Sequence, residues 1–185
     1  MALKRFEIEG YGQLELNQVA FRRSGRIEAQ CELDATDFAE VPAENGMLLA
    51  VNNITRTVGF AKTNNVYPIA LNYTTEHMYD ERHNALKDFK LERGEFLPRL
   101  GYLGAGDKYT TNCLAYDDQA FTNDEALKNM LNLLGTKTGP AAAYAEPCEN
   151  GAHKITTAKT DKTIAMVIGA TTMPDGQFAV KFQAL

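Results

Sequence analysis

The stretch that decides the fold is residues 26–34, which read RIEAQCELD. Apolar residues stand at every second position and polar, mainly acidic residues stand between them: Ile27, Ala29, Cys31 and Leu33 against Glu28, Gln30, Glu32 and Asp34. Successive side chains of a strand point to opposite faces, so this alternation predicts a strand with one dry face and one acidic wet face. The same alternation returns near the end of the chain, at Phe178, Val180 and Phe182. The fold should therefore be built from strands that cover one another's dry faces.

Further strands and turns are predicted on both sides of this stretch. Residues 6–16 predict two short strands joined by a glycine-rich turn. The Asn-Gly pair at 45–46 predicts a tight turn because both residues tolerate positive φ, and the sequence MPDG at 173–176 predicts another. Residues 67–73 predict an edge strand, since Pro68 within them cannot donate to a sheet on both sides. Residues 108–116 predict one continuous strand.

One helix stands out. Thr122 with Glu125 three residues later predicts a capping box, and Gly135 predicts the stop. Its apolar stripe would consist of Leu127, Met130, Leu131 and Leu134. A second, weaker helical pattern covers 78–89, and the alanine-rich stretch at 136–148 reads as a connector. The sequence therefore predicts modest helix content.

Residues 73–109 predict an irregular arm, because large apolar side chains alternate there with glycines and Pro98. Such a segment needs cover, either from the rest of the chain or from another subunit. We take contact with neighbouring subunits as the principal hypothesis and packing into the chain's own core as the alternative. The candidate interface residues are Phe89, Leu91, Phe96, Leu97, Arg99, Leu100, Tyr102 and Leu103.

Taken together, these patterns predict a mainly β fold. Its sheet would be antiparallel, as a β-sandwich or a barrel, with one or two helices and the long arm; α+β is the alternative. A chain of 185 residues suits a single β-rich domain, 1–185, with 73–109 as an arm or insertion. No apolar run approaches the roughly 20 residues of a membrane span. The net charge of −5 disfavours a nucleic-acid partner.

Few residues suggest chemistry. Cys31, Cys113 and Cys148 are odd in number and lack CxxC spacing, so we expect unpaired, buried thiols. His77 and Glu81 would share a helix face and could bind a divalent metal, with Asp80 or His83 completing the site. The six-residue histidine spacing differs from that of the zinc hydrolase motif. A small metal-dependent hydrolase is thus the alternative function. The main expectation is a protein without catalytic residues, metal or cofactor.

Three segments carry a family resemblance: residues 1–12 (MALKRFEIEGYG), 19–30 (VAFRRSGRIEAQ) and 42–47 (PAENGM). They resemble small structural proteins encoded beside the major capsid gene of tailed bacteriophages. The resemblance implies a virion protein of the capsid, made in the host cytoplasm: a decoration, cement or auxiliary head protein. It implies that the partners are the major capsid protein and neighbouring copies in a homo-oligomer such as a trimer, with no membrane or nucleic acid. It carries over no functional residue.

Overall fold

The computed structural model describes residues 2–15, 26–61, 67–74 and 85–185. In chain order its strands are β1 (Leu3–Arg5), β2 (Ile27–Glu28), β3 (Glu32–Leu33), β4 (Leu48–Asn52), β5 (Thr57–Phe60), β6 (Ile69–Asn72), β7 (Leu100–Tyr102), β8 (Lys108–Thr111), β9 (Leu114–Asp117), β10 (Tyr144–Pro147), β11 (His153–Thr156), β12 (Ala165–Thr172) and β13 (Phe178–Ala184). The helix α1 (Asp124–Asn132) lies between β9 and β10, and a 3-10 turn covers Leu86–Asp88.

The strands form two sheets. The larger has seven strands in the order β1, β9, β11, β10, β12, β13, β8, and the smaller has six in the order β2, β7, β6, β4, β5, β3. Most neighbours are antiparallel, but each sheet includes a parallel pair, β9 with β11 and β3 with β5. The prediction of a mainly β fold is confirmed. We name the larger sheet with α1 the seven-stranded half, and the smaller sheet with its turns the six-stranded half.

Both sheets curl strongly. In a flat sheet, β8 and β9 would lie five strand spacings apart, about 24 Å. Thr111 at the end of β8 and Leu114 at the start of β9 are only three residues apart, which the chain spans with about 10 Å at most. The same holds for the smaller sheet, whose edge strands β2 and β3 are separated by residues 29–31 alone. Each sheet therefore bends round in a barrel-like way.

Strand β9 lies between two hydrophobic cores and contributes side chains to both. Leu114 and Tyr116 belong to the core of the seven-stranded half, whereas Ala115 between them belongs to that of the six-stranded half. In β4, Leu48 and Leu49 divide between the cores in the same way. Since successive side chains of a strand point to opposite faces, single strands serve both cores and fasten the halves together.

Gly46 lies where the two halves meet. Its φ of 80° is in the left-handed region that glycine adopts freely, as the Asn-Gly turn predicts. A Cβ atom on this residue would collide with the Thr111 hydroxyl and lie 3.0 Å from the Gln13 carbonyl oxygen. The Gly46 backbone N–H donates to Asn72 O at 2.8 Å. Only a residue without a side chain lets the turn approach β8 this closely.

The helix α1 forms as predicted, with a different cap. Asn123, one residue after the predicted Thr122, is the N-cap, and its side-chain oxygen accepts from the Ala126 backbone N–H at 2.9 Å. Leu127 and Leu131 are buried in the core of the seven-stranded half. Gly135 follows the helix with a φ of 73°. Among the described residues, no helix is long and apolar enough to cross a membrane.

The decisive stretch 26–34 is split. It forms β2 and β3, which lie at opposite edges of the smaller sheet, and Ile27 is 59% exposed while Leu33 is buried. The break follows from a local hydrogen bond, because the Glu28 carboxylate accepts from the Gln30 backbone N–H at 2.6 Å and so competes with ladder pairing. The prediction of one continuous strand with a single dry face is wrong here.

Three other predictions need correction. Strand β6 lies between β7 and β4 and is not an edge, because Pro68 precedes the strand and only its carbonyl is used, by the Val51 N–H at 2.9 Å. Residues 108–116 form two strands, since the Thr111 hydroxyl accepts from the Cys113 N–H at 3.0 Å and ends β8. The predicted connector 136–148 contains β10. The MPDG turn is confirmed, with a Gly176 N–H to Met173 O bond of 2.9 Å.

Candidate interaction surface

Exposed large hydrophobic residues are unevenly distributed between the halves. In the part of the chain that the structure describes, those of the six-stranded half are Ile27, Val41, Ile54, Tyr67, Phe96 and Leu97. Those of the seven-stranded half are Leu133, Ile168 and Leu185. Single exposed apolar residues are ordinary, but a concentration of them marks surfaces that other proteins cover. The six-stranded half is therefore where an interaction surface is to be sought.

The turn at residues 92–97 presents two of these residues. It is anchored at Leu91, which is fully buried and exchanges two backbone hydrogen bonds of 2.9 Å with Ala43. The Glu92 backbone N–H donates to the Glu95 carboxylate at 2.9 Å, and Gly94 has a φ of 88° with no atom near its Cβ position. The turn is thus held at its base by the Leu91–Ala43 bonds and across its loop by the Glu92–Glu95 bond.

A groove separates this turn from the edge strand β3. We name it the Phe96 groove, and its described lining residues are Glu32, Leu33, Arg93, Gly94, Glu95, Phe96 and Leu97. Phe96 is 42% exposed and Leu97 is 40% exposed, so much of the apolar wall faces water. Glu32 and Glu95 supply two exposed carboxylates, and Arg93 makes no ion pair with a described residue. The groove therefore combines an apolar wall with charged groups that are open to a partner.

The turn between β4 and β5 forms a knob beside this groove. Ile54 at its tip is 88% exposed. The Asn52 side-chain oxygen accepts from the backbone N–H groups of Ile54 and Thr55, at 3.0 and 3.3 Å. Arg56 has a φ of 57°, and its guanidinium donates to the Gln30 carbonyl and side-chain oxygens, both at 3.3 Å. These hydrogen bonds tie the knob to Asn52 on one side and to Gln30 on the other.

Knob and groove are neighbours in the fold. Glu32, which lines the groove, donates its backbone N–H to the carbonyl oxygen of Arg56 in the knob turn at 2.9 Å. The parallel pairing of β3 with β5 continues from this contact, with Glu32 opposite Thr57. An apolar projection and an apolar recess therefore lie side by side on one edge of the six-stranded half.

Most of the eight predicted interface residues lie in the chain's own structure. Phe89, Leu91 and Leu100 are buried in the core of the six-stranded half. Tyr102 is half-buried against that core, and Leu103 is half-buried against the other. Arg99 is half-buried, with its backbone N–H bound to the Thr74 hydroxyl at 3.0 Å. Phe96 and Leu97 are the predicted residues that remain on the surface.

Sequence reasoning did not single out the knob. Ile54 stands in an alternating stretch that predicts a strand, and the turn becomes visible only through the Asn52 and Arg56 interactions. The usable signal was Asn52-Asn53 before Ile54, because asparagine side chains readily bond to backbone N–H groups two residues on.

The predicted metal ligands His77, Glu81 and His83 lie outside the described residues. Within the described ranges, no group of three or more His, Cys, Asp and Glu residues is placed to hold a metal ion. Cys31, Cys113 and Cys148 are free and buried. Burial raises the pKa of the Cys113 thiol to about 12 and that of Cys148 to about 11, so both stay protonated at neutral pH. The thiols are packing residues in this structure.

His153 is a fully buried histidine beside these cysteines. Its Nδ1 lies 3.1 Å from Cys113 O, which can only accept, so Nδ1 carries the proton. Its Nε2 therefore accepts from the Tyr109 hydroxyl at 3.1 Å. The ring stacks on Phe182 with centroids 4.9 Å apart. Burial lowers the pKa of His153 to about 3, so the neutral ring is a structural element of the core.

Comparison with protein-family models, with curated proteins and with solved structures finds no match for this chain.

Proposed function

We propose that this chain is a structural protein of a tailed-bacteriophage head, which binds the assembled shell as a decoration, cement or auxiliary capsid protein. The observation that carries the proposal is the Phe96 groove, a partly exposed apolar recess on a rigid turn. The resemblance of residues 1–12, 19–30 and 42–47 to such proteins supplies the class. In this role the chain acts by presenting surface to neighbouring subunits and performs no catalysis.

The geometry supports this role in a specific way. Interfaces are enriched in aromatic and arginine residues, and their centres exclude water from a few anchors. The groove offers Phe96 and Leu97 as anchors, with Arg93 beside them. Because Leu91 holds the turn through the backbone of Ala43, little ordering entropy would be lost when a subunit covers the groove.

The first experiment asks where the protein is found. Heads of the phage that encodes the chain are purified and analysed by quantitative mass spectrometry. We expect the chain in many copies, comparable with the major shell protein. A few copies per particle would indicate a tail or connector protein instead. Absence from particles would contradict the proposal.

The second experiment tests the groove. Phe96→Ser with Leu97→Ser should abolish binding to purified heads in a co-sedimentation assay, while the melting midpoint of the isolated protein stays the same. The matched control is Leu133→Ser with Ile168→Ser, which changes residues of similar exposure on the seven-stranded half. We expect the control to bind as the unchanged protein does. An unfolded groove variant would assign both residues to the core and remove the interface.

A further inference from the structure

The side chain of Ile54 contributes little to the packing of the fold. Its side chain is 88% exposed, yet the turn beneath it is fixed by the Asn52 side chain and by the left-handed backbone of Arg56. Preorganised apolar projections are effective binding anchors because little freedom is lost when they are covered.

The Phe96 groove has the complementary character. The groove supplies an apolar wall from Phe96 and Leu97, exposed carboxylates from Glu32 and Glu95, and one cation, Arg93, so the carboxylates outnumber the cation in its lining. The knob supplies Ile54 and, two residues on, the exposed guanidinium of Arg56. An isoleucine entering the groove would bring this arginine towards the carboxylates, and opposite charges across an interface favour one orientation over others.

The adjacency of the two features is compatible with twofold symmetry. Glu32 of the groove is hydrogen-bonded at 2.9 Å to Arg56 of the knob turn, so a twofold axis can pass between them. Rotation about that axis brings each knob opposite the groove of the other copy, in a closed arrangement. We propose that two copies of this chain associate about a twofold axis, each inserting Ile54 into the Phe96 groove of the other.

This inference rests on the proposed function in one respect, the assignment of the groove as a subunit contact, and it names a second copy as the occupant. Each contact is small, so the dimer in solution forms at high protein concentration. Copies held side by side on a shell have a high effective concentration for one another, and the same contact then becomes persistent.

Complementation between variants tests the dimer. The isolated protein and the variants Ile54→Asp and Leu97→Asp are compared by sedimentation equilibrium over a wide concentration range. Each variant should dissociate at least about tenfold more readily than the unchanged protein, because both contacts are lost in its own dimer. Leu133→Asp, an exposed leucine of the seven-stranded half, is the control and should associate normally.

Mixing the two variants gives the decisive result. A mixed pair retains one complete contact, between Ile54 of the Leu97→Asp copy and the groove of the Ile54→Asp copy. The mixture should therefore associate more tightly than either variant alone. A monomeric unchanged protein, or a mixture no tighter than its components, would overturn the inference. Melting midpoints of all variants are measured to exclude unfolding.

The dimer and the proposed head function can fail independently of each other. A chain that is absent from heads but passes the mixing experiment would defeat the head assignment and leave the dimer. A chain that is abundant in heads but whose variants do not complement one another would defeat the dimer and leave the head assignment.

Discussion

The two halves of the molecule use their apolar residues differently. The core of the seven-stranded half contains several large aromatic side chains and the buried face of α1, and its strands β12 and β13 are long. The core of the six-stranded half is built from smaller residues and all three cysteines, and its edge strands have two residues each. The half with the smaller core is the one with exposed Ile54, Phe96 and Leu97. The six-stranded half therefore combines a core of its own with most of the exposed large hydrophobic residues in the described part of the chain.

The seam between the halves should show the largest effect. Gly46→Ala forces a side chain into the left-handed region and into the Thr111 hydroxyl, so we expect a loss of roughly 2–6 kcal/mol in the free energy of unfolding. Urea denaturation followed by circular dichroism measures it. Gly94→Ala is the control, with a similar φ of 88° and open space around it, and should cost about 1 kcal/mol. Equal costs would mean that the seam is not tightly packed.

The seven-stranded core should come next. Leu131→Ala removes a buried side chain from the face of α1 that packs on the sheet and should cost roughly 2–5 kcal/mol, through lost burial and a residual cavity. Leu133→Ala, two residues on and 43% exposed, should change stability by less than about 0.5 kcal/mol. An unchanged melting midpoint for Leu131→Ala would show that α1 contributes little to the packing of this half.

Several elements of the two halves were predictable from the local sequence pattern. The apolar stripe of α1, the Asn-Gly turn at Gly46 and the MPDG turn depend on neighbouring residues, and all appear as predicted. The interior position of β6 could not be predicted, because it depends on β7, which comes from the arm. Burial of Leu91 and Leu100 was also hidden, since their partners are distant in sequence.

The interaction surface was less predictable than the fold. Phe96 and Leu97 have the same apolar character as Leu91 and Leu100, and only the three-dimensional pairing of Leu91 with Ala43 separates anchors from exposed residues. The break in the stretch 26–34 depends on a carboxylate bonding to a backbone N–H two residues away. Alternation alone cannot distinguish that local bond from sheet pairing.

Acid should weaken the protein through His153. Its pKa is lowered from 6.5 to about 3 in the folded state, chiefly by burial and further by the positive charge of Arg5. The unfolded chain binds the proton more readily, so the stability from the neutral ring is complete above pH 6.5 and is lost as pH falls towards 3. Between pH 6.5 and 5 we expect a loss of about 2 kcal/mol.

The measurement compares how steeply the free energy of unfolding of two proteins changes with pH. Urea titrations of the unchanged protein and of His153→Asn are made between about pH 7.5 and 5, and the variant should lose less stability across that range. Carboxylates such as Asp175, whose folded pKa is lowered by its hydrogen bonds against the opposing effect of burial, contribute to both proteins and cancel. Parallel curves would mean that His153 accepts its proton without disturbing the core.

The smallest effect should be at the knob. Ile54→Asp replaces a side chain that water already surrounds, so the free energy of unfolding should change by less than about 0.5 kcal/mol. Thermal melting of dilute protein, where monomers dominate, measures it. A large loss of unfolding free energy would mean that Ile54 packs within the six-stranded half. The difference proposed between the two halves would then be wrong.

The seven-stranded sheet also has a consequence for biosynthesis. It joins β1 near the start of the chain to β9, and the backbone N–H of Glu9 bonds to a side chain 168 residues further on. Contacts this distant in sequence make folding slow, and the last strand, Phe178–Ala184, occupies a place inside the sheet. The sheet cannot close until Phe178–Ala184 have left the ribosome, so folding of this half waits for the synthesis of β13.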